Sequence, residues 1–176
     1  MNPYVVPVGA LLRHPGRTSA VSFTAPFDPD GSLAATAEGA AEVDPGASVE
    51  VRLTLTSLLG GVTATGTVIA PWQGSCRRCA RPVHGVLDVR VHEQFRPGAA
   101  PDDEDAYPLV NEEVDLHDLV RDAVLLELPL APLCRPDCAG LCPSCGADRN
   151  DGDCGCRPAL DPRWATLDAL RVPDQA

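Results

Sequence analysis

The sequence predicts an α+β fold: a small antiparallel β-sheet with one main helix and a C-terminal cysteine-rich zinc ribbon. Three observations support this prediction. Hydrophobic residues alternate with polar ones over 49–55, a helical hydrophobic period runs over 116–124, and eight cysteines occur in close pairs. The chain has 176 residues, of which 44% are hydrophobic and 22% charged, which fits one ordinary globular domain.

The first 47 residues give mixed signals, because several prolines separate short apolar pieces. One or two strands are predicted before Asp30. The stretch 28–47 is rich in Ala, Gly, Asp and Pro, and it predicts a loop with one edge strand.

Three strands are predicted in the middle of the chain. The alternation over 49–55 indicates a half-buried strand, and Gly60-Gly61 supplies a turn after it. A second β-rich run covers 62–70 and a third covers 83–95. The motif Cys76-Arg77-Arg78-Cys79 lies between the second and third runs. We therefore expect this motif at the tip of a β-hairpin.

An acidic loop is predicted over 97–108, followed by the main helix. Asp115 is the expected helix cap, and Pro129 the residue that ends the helix. The helical stripe consists of Leu116, Leu119, Val120, Ala123 and Val124. These features complete an α+β body over residues 1–130.

Two segments follow the body: a zinc ribbon over 131–160, then a short amphipathic helix and tail over 161–176. Asp161-Pro162 provides a cap and a first-turn proline for that helix. Trp164, Leu167 and Leu170 share one of its faces.

The cysteine spacings are typical of zinc sites. The pairs are Cys76-x2-Cys79, Cys134-x3-Cys138, Cys142-x2-Cys145 and Cys154-x-Cys156. Two turns that each carry two cysteines can direct four thiolates at one tetrahedral ion. We expect the last two pairs to form one site, and the pair at 134 and 138 to meet the distant pair at 76 and 79. The predicted cofactor is one or two structural Zn²⁺ ions, since a single zinc with loose thiols also fits the sequence.

Thiol redox chemistry is the alternative for Cys76 and Cys79, whose spacing also matches a redox pair. Such a pair is expected at a helix N-terminus, where the helix dipole lowers a thiol pKa, rather than in a β-hairpin. A low pKa at either cysteine would be the first support for this alternative.

Charge restricts the possible partners. The formal net charge is −11 at pH 7, and all fourteen basic residues are arginine. An acidic chain is not expected to neutralise duplex phosphates over a broad face, although a local basic patch remains open.

Other functional classes lack a visible signal. No positively charged leader precedes 5–12, and the uncharged stretch 53–76 contains too many polar residues for a lipid-facing helix. We therefore expect a cytoplasmic protein without a membrane partner.

No nucleophile grouping or phosphate-binding glycine loop is present, so no enzymatic activity and no small-molecule substrate are expected. Ordinary strand or surface roles are expected for the histidines and packing roles for the tryptophans: His84, His92, His117, Trp72 and Trp164.

The sequence from about residue 48 to 170 resembles the YceD family of large ribosomal RNA subunit accumulation proteins. The resemblance depends on four anchors, in chain order: Cys76-Arg77-Arg78-Cys79; Val114-Asp115-Leu116 with Leu128-Pro129-Leu130; Cys134 with 138–146; and Asp161-Pro162-Arg163-Trp164. It implies a non-enzymatic factor for accumulation or processing of 23S rRNA and for large ribosomal subunit biogenesis. Two other classes stay open, a zinc-ribbon adaptor that binds a protein through the Trp164 helix and a thiol oxidoreductase.

Charge polarity along the chain fits this implied role. Residues 76–96 carry five arginines and two acidic residues, whereas 102–127 carry ten acidic residues and one arginine. Arg77, Arg78 and Arg81 are predicted either to contact rRNA phosphates or to balance the zinc-bound thiolates. The acidic stretch is predicted either to bind a basic ribosomal protein or only to hydrate the surface. The expected partners are thus the large-subunit precursor, its rRNA, a ribosomal protein, or a combination of these.

Overall fold

The computed structural model describes residues 2–27, 41–100, 103, 105–156 and 163. Within these residues the chain forms eight strands and two helices. In chain order they are β1 (Val5–Pro7), α1 (Gly9–Leu12), β2 (Thr18–Pro26), β3 (Ala41–Glu42), β4 (Ser48–Leu58), β5 (Gly61–Ser75), β6 (Pro82–Pro97), β7 (Tyr107–Val110), β8 (Glu113–Asp115) and α2 (His117–Glu127).

All eight strands belong to one sheet, with β3 paired to β5 outside the order β1-β8-β7-β6-β5-β4-β2. The prediction of a small antiparallel sheet was therefore wrong in size. It was also wrong in one pairing, because β6 and β7 run parallel and Phe95 lies opposite Tyr107. The residues between β6 and β7 bring the chain back alongside the end of β6. Four of the strands have only two to four residues, which is too short for a visible period.

The sheet is curled, so that its two end strands come together. The hydroxyl of Tyr4, next to β1, donates a hydrogen bond to the backbone oxygen of Pro26 in β2 (2.8 Å). The Tyr4 ring packs edge-on against Phe23, with ring centroids 5.3 Å apart. Tyr4 is completely buried, and this burial raises its pKa to about 12. The core lies inside the curl, where α2 packs against β5 and β6.

The three central strands confirm the predicted β-runs. β5 and β6 pair without a break from Val62 opposite Phe95 to Ser75 opposite Pro82. The Cys76–Arg81 segment follows as the connecting turn, so the predicted position at a hairpin tip is correct. At the other end, Leu59 and Gly60 form the turn, and Gly61 already pairs with Leu58. The predicted turn was therefore displaced by one residue.

The main helix also confirms the prediction. The Asp115 carboxylate accepts the backbone N–H of His117 at 2.9 Å, where the helix begins. Leu119, Val120 and Val124 are buried against the sheet. The helix ends at Glu127, because Leu128 is extended (ψ 133°) ahead of Pro129.

The N-terminal strands were predicted correctly in number, and β3 is the predicted edge strand within 28–47. Helix α1 was not predicted. The predicted helix over 161–176 lies outside the described residues except for Arg163. The division at residue 130 stays a prediction. Among the described residues no helix is long and apolar enough to cross a membrane.

We predict that Tyr4→Phe lowers the free energy of unfolding by about 1 kcal/mol, because it removes one partly buried hydrogen bond between the ends of the curl. Urea denaturation followed by circular dichroism measures this change. Tyr107→Phe is the comparison, since it also removes a tyrosine hydroxyl contact, to Asp122 (3.2 Å), but one that does not join the ends of the curl. Equal stability of Tyr4→Phe and the parent chain would show that the Tyr4 hydroxyl does not stabilise the curl.

Candidate metal centres

The first candidate metal centre combines two distant parts of the chain and is called the cross-chain centre below. The Sγ atoms of Cys76, Cys79, Cys134 and Cys138 all lie within 4.8 Å of one another. The Cys76–Cys138 and Cys79–Cys134 sulfur distances are 3.8 and 3.6 Å. Four sulfurs bound to one zinc at about 2.3 Å are separated by about 3.8 Å, whereas disulfide sulfurs are about 2.05 Å apart. These sulfur distances are compatible with four ligands around one ion and are too long for disulfide bonds.

The second candidate, the ribbon centre, is local. The Sγ atoms of Cys142, Cys145, Cys154 and Cys156 also lie within 4.8 Å of one another. Cys142 is buried and the other three are exposed. Both sets of four are those that the sequence spacing suggested.

The two CxxC turns have the same backbone hydrogen bonds. Cys76 N–H donates to the Arg81 oxygen (2.8 Å), and Ala80 N–H donates to the Cys76 oxygen (2.9 Å). The turn at 142–147 repeats both bonds at 2.8 and 2.9 Å. Ala80 has φ +59° and the equivalent Gly146 has φ +73°. The first turn therefore places an alanine in a left-handed conformation that favours glycine.

The first cysteine of each turn is poised to lose its proton. Burial would raise the pKa of Cys76, but backbone hydrogen bonds from Cys134, Cys79 and Arg78 outweigh it and lower the pKa to about 6. Backbone hydrogen bonds from Cys145 and Ser144 likewise lower the pKa of Cys142 to about 6. A thiolate is the form that binds zinc.

Other thiols in the same groups resist ionisation. Burial, together with contacts to the other three sulfurs, raises the pKa of Cys134 to about 12. Contacts with Cys145 and Cys154 raise the pKa of Cys156 to about 12. Four thiolates in one cluster repel one another, and a bound dication removes that penalty. The low pKa of Cys76 is also what a redox pair requires, so this value alone does not separate the two chemistries.

Two of the three predicted arginines hold the centres together. The Arg78 guanidinium donates to the backbone oxygens of Cys138 (2.9 Å) and Pro136 (3.3 Å). Arg81 forms ion pairs with Asp148 (2.8 Å) and Asp151 (2.6 Å). These contacts tie the knuckle (76–81) to the segments that carry the other cysteines.

Arg77 differs from its neighbours. Its backbone N–H donates to Pro132 (2.9 Å), while its side chain is exposed. Within the residues that the structure describes, its guanidinium has no hydrogen-bond or ion-pair partner. Of the three arginines, Arg77 is therefore the one available for an external phosphate.

Two residues at the centres were missed as functional residues. Asn150 donates to the Cys138 sulfur at 3.4 Å, although an Asn-Asp-Gly sequence by itself indicates only a turn. Gly140 has φ +74°, and a Cβ there would lie 2.9 Å from the Arg78 oxygen. In the sequence, Gly140 stands between Cys138 and Cys142. A glycine between two cysteines indicates that another backbone segment packs closely there.

The histidines lie apart from both groups of cysteines. His92 contacts Thr65 (3.4 Å) on the exposed face, and the His117 ring packs against Tyr4. Trp72 packs against the core as predicted, and with His84 it lines an open groove of about 380 Å³.

The fold and the site define the class of protein: a curled β-sheet protein in which a hairpin tip and a C-terminal cysteine ribbon together form two four-thiol centres. A family model described as "Large ribosomal RNA subunit accumulation protein YceD" matches residues 64–171. The chain belongs to this YceD family, as its cysteine and helix anchors indicated.

Several known proteins are similar to the chain. An uncharacterized protein of Mycobacterium tuberculosis (strain ATCC 25618 / H37Rv) is 41% identical over 137 residues, which cover 75% of this chain and 66% of that protein. An uncharacterized protein of Mycobacterium leprae is 35% identical over 179 residues, covering 99% of this chain and 80% of that protein. A chloroplastic protein of Zea mays, named large ribosomal RNA subunit accumulation protein YCED homolog 1, is 40% identical over 58 residues, 32% of this chain and 20% of that protein. No solved structure matches the chain.

We predict opposite effects from exchanging the two equivalent turn residues. Ala80→Gly should raise the free energy of unfolding by about 0.5–1 kcal/mol, because relief of left-handed strain exceeds the added entropy of the unfolded chain. Gly146→Ala should lower it by about 1 kcal/mol, because φ is +73° there and alanine is strained in that conformation. No atom lies within 4 Å of the added methyl group, so no steric clash adds to this cost. Chemical denaturation at saturating zinc provides both values, and a destabilising Ala80→Gly would contradict the assigned turn conformation.

Proposed function

We propose that the protein is a non-enzymatic factor that supports accumulation or processing of 23S rRNA in large ribosomal subunit biogenesis, with two structural zinc ions. The observation that carries this proposal is the family match over residues 64–171, which contains all eight cysteines of the two centres. The two plant relatives are named as chloroplastic large ribosomal RNA subunit accumulation proteins, which supports the ribosomal part of the proposal. We place the action in the cytoplasm, on the large-subunit precursor.

Zinc is the metal that best fits the two centres. Thiolates are soft ligands, and four of them around one dication form a closed tetrahedral site. A closed shell leaves no position for a reactive water, so the proposed role of zinc is to hold the fold. Each filled centre carries a charge of about −2, which Arg81 and Arg135 partly offset from nearby positions.

Recognition of rRNA is assigned to the knuckle, and specifically to Arg77. Arg78 and Arg81 are occupied within the protein, whereas the Arg77 guanidinium is exposed. A phosphate contact from Arg77 would be weakened by salt.

The acidic surface before and along α2 is a second proposed contact, for a basic ribosomal protein. It includes the exposed carboxylates Glu112, Glu113, Asp115, Asp118 and Glu127. Two of these are partly occupied, since Asp118 pairs with Arg121 and Glu112 with Arg13. Glu113, Asp115 and Glu127 would therefore supply most of the contact.

A protein adaptor is a second candidate function, favoured by exposed leucines in the last turn of α2 and just after it. Leu126 and Leu130 are 85% and 91% exposed, which is unusual for large apolar side chains so close together. The Trp164 helix, on which the sequence suggested such binding, lies outside the described residues.

Thiol oxidoreductase activity is a weaker candidate, favoured by the low pKa of Cys76. The sulfurs of the cross-chain centre form a set of four with similar spacings, and the knuckle is a β-turn rather than a helix N-terminus. Both features fit a metal site better than a redox pair. Reduction of insulin disulfides by the metal-free chain would favour the redox function.

We predict that the purified chain binds two zinc ions, counted by native mass spectrometry and elemental analysis. Cys76→Ser with Cys79→Ser should retain one ion, and Cys145→Ser with Cys154→Ser should also bind fewer ions than the parent. Replacing the exposed residue Ser144 with Ala is a control that leaves all eight thiols in place. An unchanged count after loss of Cys76 and Cys79 would refute the cross-chain centre.

We predict that depletion of the protein selectively lowers large subunits and mature 23S rRNA in sucrose gradients. Re-expression of the parent chain should restore both. Arg77→Glu should restore them less well and co-sediment less with precursor subunits, because it reverses the one knuckle arginine with an unoccupied side chain.

Arg149→Glu is the matched control for charge, since Arg149 is also exposed but lies outside the knuckle. Equal rescue by Arg77→Glu and Arg149→Glu at equal zinc content would refute the RNA contact. An unchanged gradient after depletion would refute the ribosomal role and favour the protein adaptor.

A further inference from the structure

The loop between the two cysteine pairs of the ribbon centre also contacts the cross-chain centre. Asn150 lies in this loop. Its Nδ2 donates to the Cys138 sulfur at 3.4 Å, and its Oδ1 accepts the backbone N–H of Ala139 at 2.8 Å. The same oxygen accepts a hydrogen bond from the Arg135 guanidinium at 2.8 Å. One amide from the ribbon loop thus binds the sulfur of Cys138 and the backbone N–H of the residue that follows it.

A second contact joins the loop to the knuckle. Arg81 follows Cys79 by two residues, and its guanidinium binds Asp148 at 2.8 Å and Asp151 at 2.6 Å. Asp148 in turn accepts the backbone N–H of Asn150 at 2.8 Å and its side-chain N–H at 2.6 Å. The segment 148–151 therefore contacts both halves of the cross-chain centre.

Backbone hydrogen bonds complete the connection. Leu141 N–H donates to the Arg78 oxygen and Arg149 N–H donates to the Gly140 oxygen, both at 2.9 Å. Leu141 and Asp148 also form an isolated β-bridge. Hydrogen bonds therefore connect the ribbon loop to residues 140–141, and residues 140–141 to the knuckle.

We propose that the two metal centres are energetically coupled through Asn150 and Arg81, so that filling the ribbon centre raises the zinc affinity of the cross-chain centre. This inference rests on the zinc binding proposed above. The segment 148–151 lies between Cys145 and Cys154, and the ion that binds both cysteines limits the conformations open to it. Without that ion, ordering the loop must be driven by the contacts of Asn150 and Arg81 themselves.

Asn150 is a positioning residue in this arrangement, not a metal ligand. Hydrogen bonds to a ligand from outside the coordination shell commonly change metal affinity by about 10–100-fold. Coupling between two binding sites is reciprocal, so filling the cross-chain centre raises the affinity of the ribbon centre by the same factor.

The test is a thermodynamic cycle on the full chain, with zinc itself as the probe. The zinc affinity of the cross-chain centre is measured by competition with a chelator, and native mass spectrometry counts the bound ions. Alkylation of free cysteines followed by peptide mass spectrometry identifies which centre is empty. Four chains are compared: the parent, Cys145→Ser with Cys154→Ser, Asn150→Ala, and the combination of all three substitutions.

In chains that keep Asn150, emptying the ribbon centre should lower the zinc affinity of the cross-chain centre by roughly tenfold or more. The same change should have a smaller effect in the Asn150→Ala background, because the contacts of Asn150 are already lost and only those of Arg81 and the backbone remain. Arg149→Ala is the control, since it alters the neighbouring exposed side chain and should leave the affinity unchanged.

Equal cross-chain affinity with the ribbon centre filled or empty would overturn the coupling. Asn150→Ala keeps all eight cysteines, so it tests the inference even if the double serine chain loses its β-sheet circular dichroism. If Asn150→Ala and Arg149→Ala had equal zinc affinity at the cross-chain centre, the coupling would also be overturned. Absence of zinc from both centres would instead refute the proposed function, while two ions bound independently would refute the coupling alone.

Discussion

The contact between the tip of the β5–β6 hairpin and the segment that carries Cys134 and Cys138 fixes the position of the C-terminal part of the chain. The long β5–β6 hairpin carries Cys76 and Cys79 to its tip, where Cys138 lies 3.8 Å from Cys76. Arg77 N–H also binds the Pro132 oxygen, so the segment after α2 is fixed at the same point. The ribbon centre is built onto this junction. Without this junction, the ribbon would be joined to the β-sheet body through the backbone after α2 alone.

Local patterns in the sequence were sufficient for the long strands, α2 and the grouping of the cysteines. The alternation over β4 spans enough residues to show which side chains face the core, and cysteine spacing limits which thiols can share an ion. The curl of the sheet depends on contacts between distant residues, such as Tyr4 with Pro26. The two-residue to four-residue strands have no period of their own. Their pairing is decided by the tertiary structure.

The finer chemistry of the site was less predictable for a different reason. The sequence left Arg78 and Arg81 with two possible roles, because an arginine beside a cysteine can face either RNA or the protein. Their bonds to Cys138 and to Asp148 show that both face the protein. Asn150 carried only the signal of a turn residue, since an amide followed by Asp and Gly is common in loops. Its contact with Cys138 depends on a fold that brings two cysteine turns together.

With an ion bound, the cross-chain centre would also make part of the backbone into a closed ring. Cys79 and Cys134 have sulfurs 3.6 Å apart, and β6, β7, β8 and α2 all lie between them in sequence. If a shared ion joins the two ends, a protease that cuts the connection between β6 and β7 does not release a fragment. The nicked protein would migrate as one species on a native gel and as two pieces after denaturation with a chelator. The metal would thus protect the molecule against the consequences of a cut backbone as well as against unfolding.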